Sequence, residues 1–153
     1  MVSTYSQLSI EEKLEKNWIR TLAHFDKGEY SGAIVRCVTC LELATTMLLR
    51  WELEGEYGLP VKFVETQLKN AGGIKGKFCD IFLPLVNDWE FHQHYKDQWK
   101  YIDKIVKVRN RIVHDGEHRS KRSAKTAVLA THKLLERLLK YYSIDIVLSK
   151  PDI

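Results

Sequence analysis

The stretch Ile34-Val35-Arg36-Cys37-Val38-Thr39-Cys40-Leu41 lies in a strongly apolar part of this 153-residue chain. Apolar side chains recur there at intervals of three and four residues, which is typical of an α-helix. They also cover much of the circumference, as expected for a helix surrounded by other helices. We therefore predict a central helix from Tyr30–Ser31 to about Glu54, broken by residues 55–60. Its predicted buried stripe is Ile34, Cys37 or Val38, Leu41, Thr45 and Leu48.

Helical spacing extends to both sides of this central helix. A first helix is predicted to begin near Ser9, where Glu12 three residues later completes a capping box. It is predicted to end at Lys27–Gly28, because glycine favours a helix stop. On the other side, a short helical insert is predicted to comprise Val61 to Asn70 and Ile74 to Leu83, the latter limited by Pro84.

Two more long helices are predicted in the C-terminal half. One spans roughly His92 to Val113, and Asp115–Gly116 supplies its stop. The other runs from about Ser120 to Tyr142. Together these elements predict an all-α protein, a helical bundle of four long helices with a short helical insert.

Length and composition favour one soluble domain over residues 1–153, since the chain is 44% apolar and 29% charged. The predicted core covers about 9–142. The tail, 143–153, contains a brief alternation at Ile144–Leu148 that predicts an added strand or an extended arm. The first residues lack a basic and apolar leader, and no uncharged stretch approaches the length of a membrane span. We therefore expect a cytoplasmic protein without a membrane segment.

The net charge of +4 is unevenly distributed along the chain. Between Lys104 and Lys125 there are eight basic residues and only two acids, so this segment carries +6 and the remainder −2. Such a positive patch favours a polyanion as partner, although a solvated helix face is the simpler explanation for any single member. The residues predicted to contact the polyanion are Lys107, Arg111, Arg119, Lys121, Arg122 and Lys125.

Within this basic segment lies the sequence Arg109-Asn110-Arg111-Ile112-Val113-His114. Asn110 and His114 are four residues apart and share a helix face. Arg109 and His114 are separated by about 140° around an ideal helix, so one continuous helix does not place them together. Two arrangements would do so. Either the helix ends by Val113 and releases His114, or a second copy of the chain brings its own motif alongside.

These three side chains suit cleavage of RNA by its own 2′-hydroxyl. The reaction needs a base, an acid and positive charge at the pentavalent phosphate. His114 would act as base or acid, Arg109 would stabilise the transition state, and Asn110 would orient the imidazole or bind a phosphate oxygen. No metal or cofactor is required. The structural alternative is that His114 caps its helix and Arg109 pairs with an acid such as Glu42.

The pattern Arg109-Asn110-x-x-x-His114 resembles the R-x(4–6)-H signature of the HEPN superfamily (higher eukaryotes and prokaryotes nucleotide-binding). A small polar residue such as asparagine follows the arginine in that signature. Residues 29–36 resemble the family's second helix. Val113-His114-Asp115-Gly116, followed by a basic helix that ends in Leu-Leu-Glu-Arg-Leu-Leu, resembles its last. The resemblance covers roughly Ser9 to Tyr142.

This resemblance implies a helical bundle that forms a homodimer, in which the two motifs meet as one composite site. Many members are metal-independent endoribonucleases of toxin–antitoxin, phage-defence and CRISPR-associated systems. That implies RNA as substrate and an antitoxin or a larger effector protein as partner. Carried onto this chain, it implies Arg109, Asn110 and His114 as catalytic residues, with Glu42 as support.

Two features of the family keep other outcomes open. One toxin branch has a tyrosine two residues after the histidine, which its antitoxin modifies, whereas this chain has Gly116 there. Other members have lost catalysis and bind RNA or nucleotides or serve as dimerisation modules. A non-catalytic module is therefore the alternative function, and a plain helical scaffold is a third.

Two further groups of residues contain side chains that bind metals or undergo redox chemistry, but their spacing does not favour such a site. Cys37 and Cys40 form a C-x-x-C inside the central helix, without a second pair, and are interpreted as small buried hydrophobes. His92 and His94 are two residues apart and do not share a helix face, so we expect solvated side chains and no metal site.

Aromatic residues offer another route to nucleic-acid binding, by stacking on bases. Trp99 has helical spacing among isoleucines and is expected in the core, whereas Trp89 and Tyr95 stay open as stacking candidates. His132, on the apolar side of the last helix, is expected in the core or at an interface.

Overall fold

The structure, a computed structural model, describes residues 5–90 and 92–153. Every regular element in these ranges is helical, which confirms the all-α prediction. In chain order these elements are a 3-10 turn Tyr5–Gln7, α1 Ile10–Asp26, α2 Tyr30–Arg50, a π-helical segment Trp51–Glu56, α3 Val61–Asn70, α4 Gly73–Lys75, a π-helical segment Gly76–Phe82, α5 Leu83–Leu85, α6 His92–Asp115 and α7 Lys121–Tyr141.

The central helix, α2, packs against α1, α6 and α7. Its predicted stripe is buried along its whole length, and both candidate positions in its second turn, Cys37 and Val38, are buried. The helix continues beyond the predicted end at Glu54 as a π-helical segment, in which the Tyr57 N–H donates to the Glu52 carbonyl at 2.9 Å. Glu52, the next member of the stripe, is therefore carried into the buried part of the protein.

The same continuous helix, Tyr30–Glu56, is long and apolar enough to cross a membrane by length and composition, with a mean hydropathy of 1.6. Most of its apolar window, 61%, is buried inside the protein. Core helices of soluble proteins have this property too, so the helix does not establish where the protein resides.

α1 begins where the capping box was predicted. The Ser9 hydroxyl accepts a hydrogen bond from the Glu12 N–H at 3.2 Å, and the Ser9 N–H donates to the Glu12 carboxylate at 2.7 Å. The helix ends at Asp26, and Gly28 adopts a φ of 77°, the left-handed conformation that glycine tolerates best.

The helical insert between α2 and α6 differs from the prediction at its end. α3 matches the predicted first helix, but the second helical stretch does not stop before Pro84. Pro84 instead lies in α5, which continues the π-helical segment without a break and ends at Leu85, one residue after the proline. A proline lacks the N–H that helix continuation requires, and the helix stops soon after it.

α6 and α7 meet at a short loop. α6 extends two residues beyond the predicted end at Val113, and Gly116 follows with a φ of 65°. α7 agrees with its prediction to within one residue at each end, because the Ser120 hydroxyl caps it by accepting from the Ser123 N–H at 3.3 Å. The loop between them is thus fixed by a left-handed glycine and a helix cap.

The tail is an extended arm and forms no strand in the part of the chain described. Its alternation is real, since Leu148 is buried while Val147 is 90% exposed. The Trp18 indole N–H donates to the Ser149 carbonyl at 2.8 Å, and the Trp18 ring packs on His132. The arm therefore covers α1 and α7, and His132 is a core residue, as expected.

Candidate functional site

The motif lies in the last two turns of α6. Arg109 is half-buried, whereas Asn110 and His114 are exposed. Because α6 remains helical through Asp115, the first of the two arrangements, in which the helix ends by Val113 and releases His114, does not occur. Within one chain, Asn110 and His114 share a face, and helix geometry directs Arg109 elsewhere.

Arg109 belongs to the core-facing stripe of α6. Counting from Ile102, the positions four, seven and eleven residues later are Val106, Arg109 and Val113, which fall on one side of a helix. Ile102 and Val106 are 1% and 9% exposed, but Val113 is 53% exposed. The stripe therefore passes from the core onto an open surface, and Arg109 stands at the transition.

The Arg109 guanidinium has no ionic partner in the part of the chain that the structure describes. Its Nε is buried without a hydrogen-bond partner, and no carboxylate lies within 4 Å of it among the described residues. Glu42, the acid suggested as its partner, instead binds the Lys77 ammonium at 3.1 Å. The pairing of Arg109 with Glu42 is therefore absent. Hydrogen bonds also do not connect Glu42 to Asn110 or His114 in the described ranges.

His114 does not cap α6. Its imidazole makes no hydrogen bond within residues 5–90 and 92–153. The end of the helix is closed by the backbone, since the Glu117 N–H donates to the Arg111 carbonyl at 3.4 Å. The exposed imidazole is thus not used for helix capping.

The loop that follows His114 is tied to the start of α2. The Arg119 N–H donates to the Ser31 hydroxyl at 2.9 Å, and the Arg119 side chain pairs with Glu117. This contact brings the first turn of α2 and the first turn of α7 to the same end of the molecule as the motif. The N-termini of two helices therefore lie at this end of the molecule, together with the C-terminus of α6 that carries His114.

The six predicted polyanion contacts divide into two groups. Lys107 pairs with Asp103 at 2.6 Å and Arg119 with Glu117, so both already have acidic partners. The other four side chains are exposed, and no acid lies within ion-pair distance of them in the part of the chain described. The unpaired cations are Arg111, Lys121, Arg122 and Lys125.

A groove between α6 and α7, which sequence reasoning did not identify, begins close to the motif. It encloses about 400 Å³ and is lined by Tyr101 and Val108 of α6. Across it, Ala127 and Ala130 of α7 present small side chains that leave room between the helices. The sequence signal would have been this pair of alanines one turn apart on the apolar side of α7.

The cysteine and aromatic residues that the sequence offered as candidates lie in the core or pack against it. Cys37 and Cys40 are buried, and burial raises the pKa of each thiol to about 12, as for small core residues. Trp99 is half-buried against the core and stacks on Phe78 with ring centroids 5.5 Å apart. Tyr95 is buried and is therefore not open to bases.

His94 contacts Gln98 at 2.7 Å. The described residues contain no cluster of three or more histidine, cysteine, aspartate or glutamate side chains suited to a metal ion. Trp89 is half-buried and belongs to an aromatic group near the far end of α6.

Comparison of this chain with models of protein families, with curated proteins and with solved structures finds no match.

Proposed function

We propose that the protein is a HEPN-like, metal-independent endoribonuclease that cleaves RNA at a site completed by a second copy of the chain. The observation that carries the proposal is the placement of Arg109, half-buried, and of Asn110 and His114, exposed, in the last turns of α6, where the described residues offer Arg109 no ionic partner and His114 no hydrogen bond. Four helices of 17 to 24 residues with a short helical insert are what a HEPN-like bundle requires.

The second copy is required by helix geometry. Arg109 and His114 point about 140° apart in one chain. Val113, which continues the core stripe onto the surface, is an apolar side chain that a partner helix could cover. A twofold interface at Val113 would place the arginine of one protomer beside the histidine of the other, because each surface patch then faces its own copy.

The proposed chemistry assigns one role to each side chain. His114 takes the proton of the 2′-hydroxyl or delivers one to the leaving 5′-oxygen, since histidine changes charge in the physiological pH range. Arg109 binds the non-bridging phosphate oxygens and stabilises their growing negative charge. Asn110, on the same face as His114, orients the imidazole or donates to the phosphate. The four unpaired cations Arg111, Lys121, Arg122 and Lys125 hold the flanking backbone by charge.

The test is cleavage of a single-stranded RNA in EDTA by the wild type, Arg109→Ala and His114→Ala. We expect both variants to lose at least about 100-fold in rate, and the wild-type product to carry a 2′,3′-cyclic phosphate. His118→Ala is the matched control, because His118 is an exposed histidine of the same loop outside the motif. It should cleave at the wild-type rate.

The results also separate the alternatives. Salt-dependent RNA binding by a wild type that does not cleave would favour the non-catalytic binding module. Absence of both binding and cleavage would favour a scaffold. Equal loss of activity in His118→Ala and His114→Ala would remove the assignment of His114.

A further inference from the structure

A second candidate site lies at the opposite end of the molecule from the motif. A cleft of about 540 Å³ is walled by five aromatic side chains and two carboxylates, Glu52 and Glu56. No lysine or arginine of the described residues lines it. We call it the aromatic cleft. Its rings are Trp51, Tyr57, Trp89, Tyr141 and Tyr142.

The rings form a connected wall. Trp89 stacks on Tyr141 with centroids 5.7 Å apart, and Tyr142 lies 6.1 Å from Trp89 and 5.9 Å from Trp51. Tyr95 supports this wall from the core, with its centroid 5.8 Å from that of Tyr141. Trp51 and Tyr141 are 46% and 45% exposed, so large ring surfaces remain open to a ligand.

The floor of the cleft holds a carboxyl group that pairs with no cation among the described residues. Glu52 is only 7% exposed, and no basic side chain pairs with it among the described residues. Burial raises the pKa of its carboxyl, Glu56 raises it further, and the nearby Tyr142 hydroxyl acts in the opposite direction. Burying a carboxylate without a cationic partner costs free energy, and a bound cation would remove that cost.

The backbone of the cleft contributes helix ends of both signs. The cleft is built from the last turns of two helices, the π-helical continuation of α2 and the C-terminal end of α7, and α6 begins three residues after Trp89. Partial negative charge at the C-termini is therefore offset by partial positive charge at the N-terminus of α6. The ring faces and the carboxylates favour a positive ligand, and the carboxylates oppose a nucleic acid, which requires a positively charged groove.

We propose that the aromatic cleft binds a small organic cation that carries a quaternary ammonium group. The faces of tryptophan and tyrosine attract such a cation through their quadrupole, and its methyl groups bury apolar surface against the rings. Glu52 and Glu56 supply the balancing charge. This site is independent of the proposed ribonuclease function, because it uses none of the residues of the motif.

The experiment uses choline as the ligand, with 3,3-dimethylbutan-1-ol as the neutral control of the same shape. Binding is followed by calorimetry and by tryptophan fluorescence of the full chain. We expect saturable binding of choline, at least about tenfold tighter than that of the neutral alcohol. Trp51→Leu and Glu56→Gln, both at exposed positions, should each weaken choline binding several-fold.

Matched controls are Tyr101→Leu and Glu65→Gln, exposed residues outside the cleft. They should leave choline binding unchanged, and circular dichroism should report the same fold for all four variants. Equal affinity for choline and the neutral alcohol would overturn the proposal. So would the absence of saturable choline binding at millimolar concentration, or binding that Trp51→Leu and Glu56→Gln do not change.

Discussion

At one end of α6, Asn110 and His114 are exposed among unpaired cations, whereas near the other end Tyr95 is buried beneath rings and carboxylates. Tyr95 and His114 are roughly 28 Å apart along the helix axis, from a rise of about 1.5 Å per residue. The N-termini of α2 and α7 lie at the basic end, while their C-terminal turns form the aromatic cleft. α6 runs in the opposite direction to these two helices, so helix ends of both signs occur at each end of the molecule and the contrast between the ends rests on their side chains.

The largest expected effect is on RNA cleavage, which we propose for the basic end of the molecule and not for the aromatic end. Arg109→Ala and His114→Ala should each lose at least about 100-fold in RNA cleavage, and mixing the two inactive proteins should restore activity. Recovery is expected because a mixed dimer combines the arginine of one chain with the histidine of the other. Cleavage rates are measured after subunit exchange.

Two controls accompany this mixing experiment. Each inactive variant mixed with itself should stay inactive. Trp51→Leu, at the other end, should cleave at the wild-type rate. Failure of the mixture to recover would contradict the two-chain site, and loss of cleavage in Trp51→Leu would show that the two ends are not independent.

A smaller effect, on dimer association, is expected when a charged side chain replaces Val113 at the exposed end of the α6 stripe. Val113→Asp should raise the dissociation constant of the dimer at least about tenfold, because the interface would have to bury a carboxylate. Sedimentation equilibrium measures this constant. Val147→Asp is the matched control, since Val147 is 90% exposed on the tail arm. Identical association of both variants would place the dimer interface elsewhere.

RNA binding at the basic end should depend on salt concentration through its unpaired cations. Removing two unpaired cations, Arg122→Ala with Lys125→Ala, should weaken RNA binding several-fold and reduce the slope of log affinity against log salt by about 1.4. The pair Lys62→Ala with Lys69→Ala on α3 removes the same charge outside the patch. Fluorescence anisotropy over a salt series compares them, and equal slopes would mean that the patch is not the contact surface.

The smallest expected effect is on stability at the aromatic end. The pKa of Glu52 is raised in the folded state, so folding retains a proton that the unfolded chain releases above pH 4.5. The free energy of unfolding should therefore fall as pH rises from about 4.5 through the raised pKa of Glu52. Glu52→Gln should remove this loss and raise Tm by a few degrees at neutral pH.

The difference in Tm between the wild type and Glu52→Gln should vanish at acid pH, where Glu52 is protonated in both the folded and the unfolded state. The groups that interact with Glu52 are Glu56, Tyr95 and Tyr142, and burial raises the pKa of both tyrosines, so they stay neutral over this range. Glu65→Gln, on the exposed side of α3, is the control. A lower Tm for Glu52→Gln than for the wild type at pH 7 would contradict the conclusion that the buried Glu52 carboxyl reduces stability at neutral pH.

The helix boundaries that were predicted correctly are set by interactions between residues close together in the sequence. Ser9 with Glu12, and Ser120 before α7, are capping interactions within three residues, so the helix boundaries they set can be read from neighbouring residues. The helix predicted to end at Leu83 extends two residues further, to Leu85, because the proline does not stop the helix at once. Release of His114, one of the two arrangements considered, does not occur because α6 continues until the left-handed Gly116.

The aromatic cleft could not be predicted because it unites residues distant in sequence. Trp51, Trp89 and Tyr142 come together only once α2 and α7 end at the same place. One local signal was available, since Glu52 continues the buried stripe of α2. A carboxylate in such a stripe indicates either an internal partner or a ligand, and sequence spacing alone does not distinguish them.

The hydrogen bond from Trp18 to Ser149 spans 131 residues of the chain. During synthesis on the ribosome, the indole N–H of Trp18 has no access to this acceptor until residue 149 has been added. The surfaces of α1 and α7 that Leu148 covers stay exposed to water, and to chaperones, for the same interval. The packing of the tail arm on α1 and α7 is thus a late step of folding, because the arm follows in the chain all the helices that it covers, even though those helices can form as they emerge.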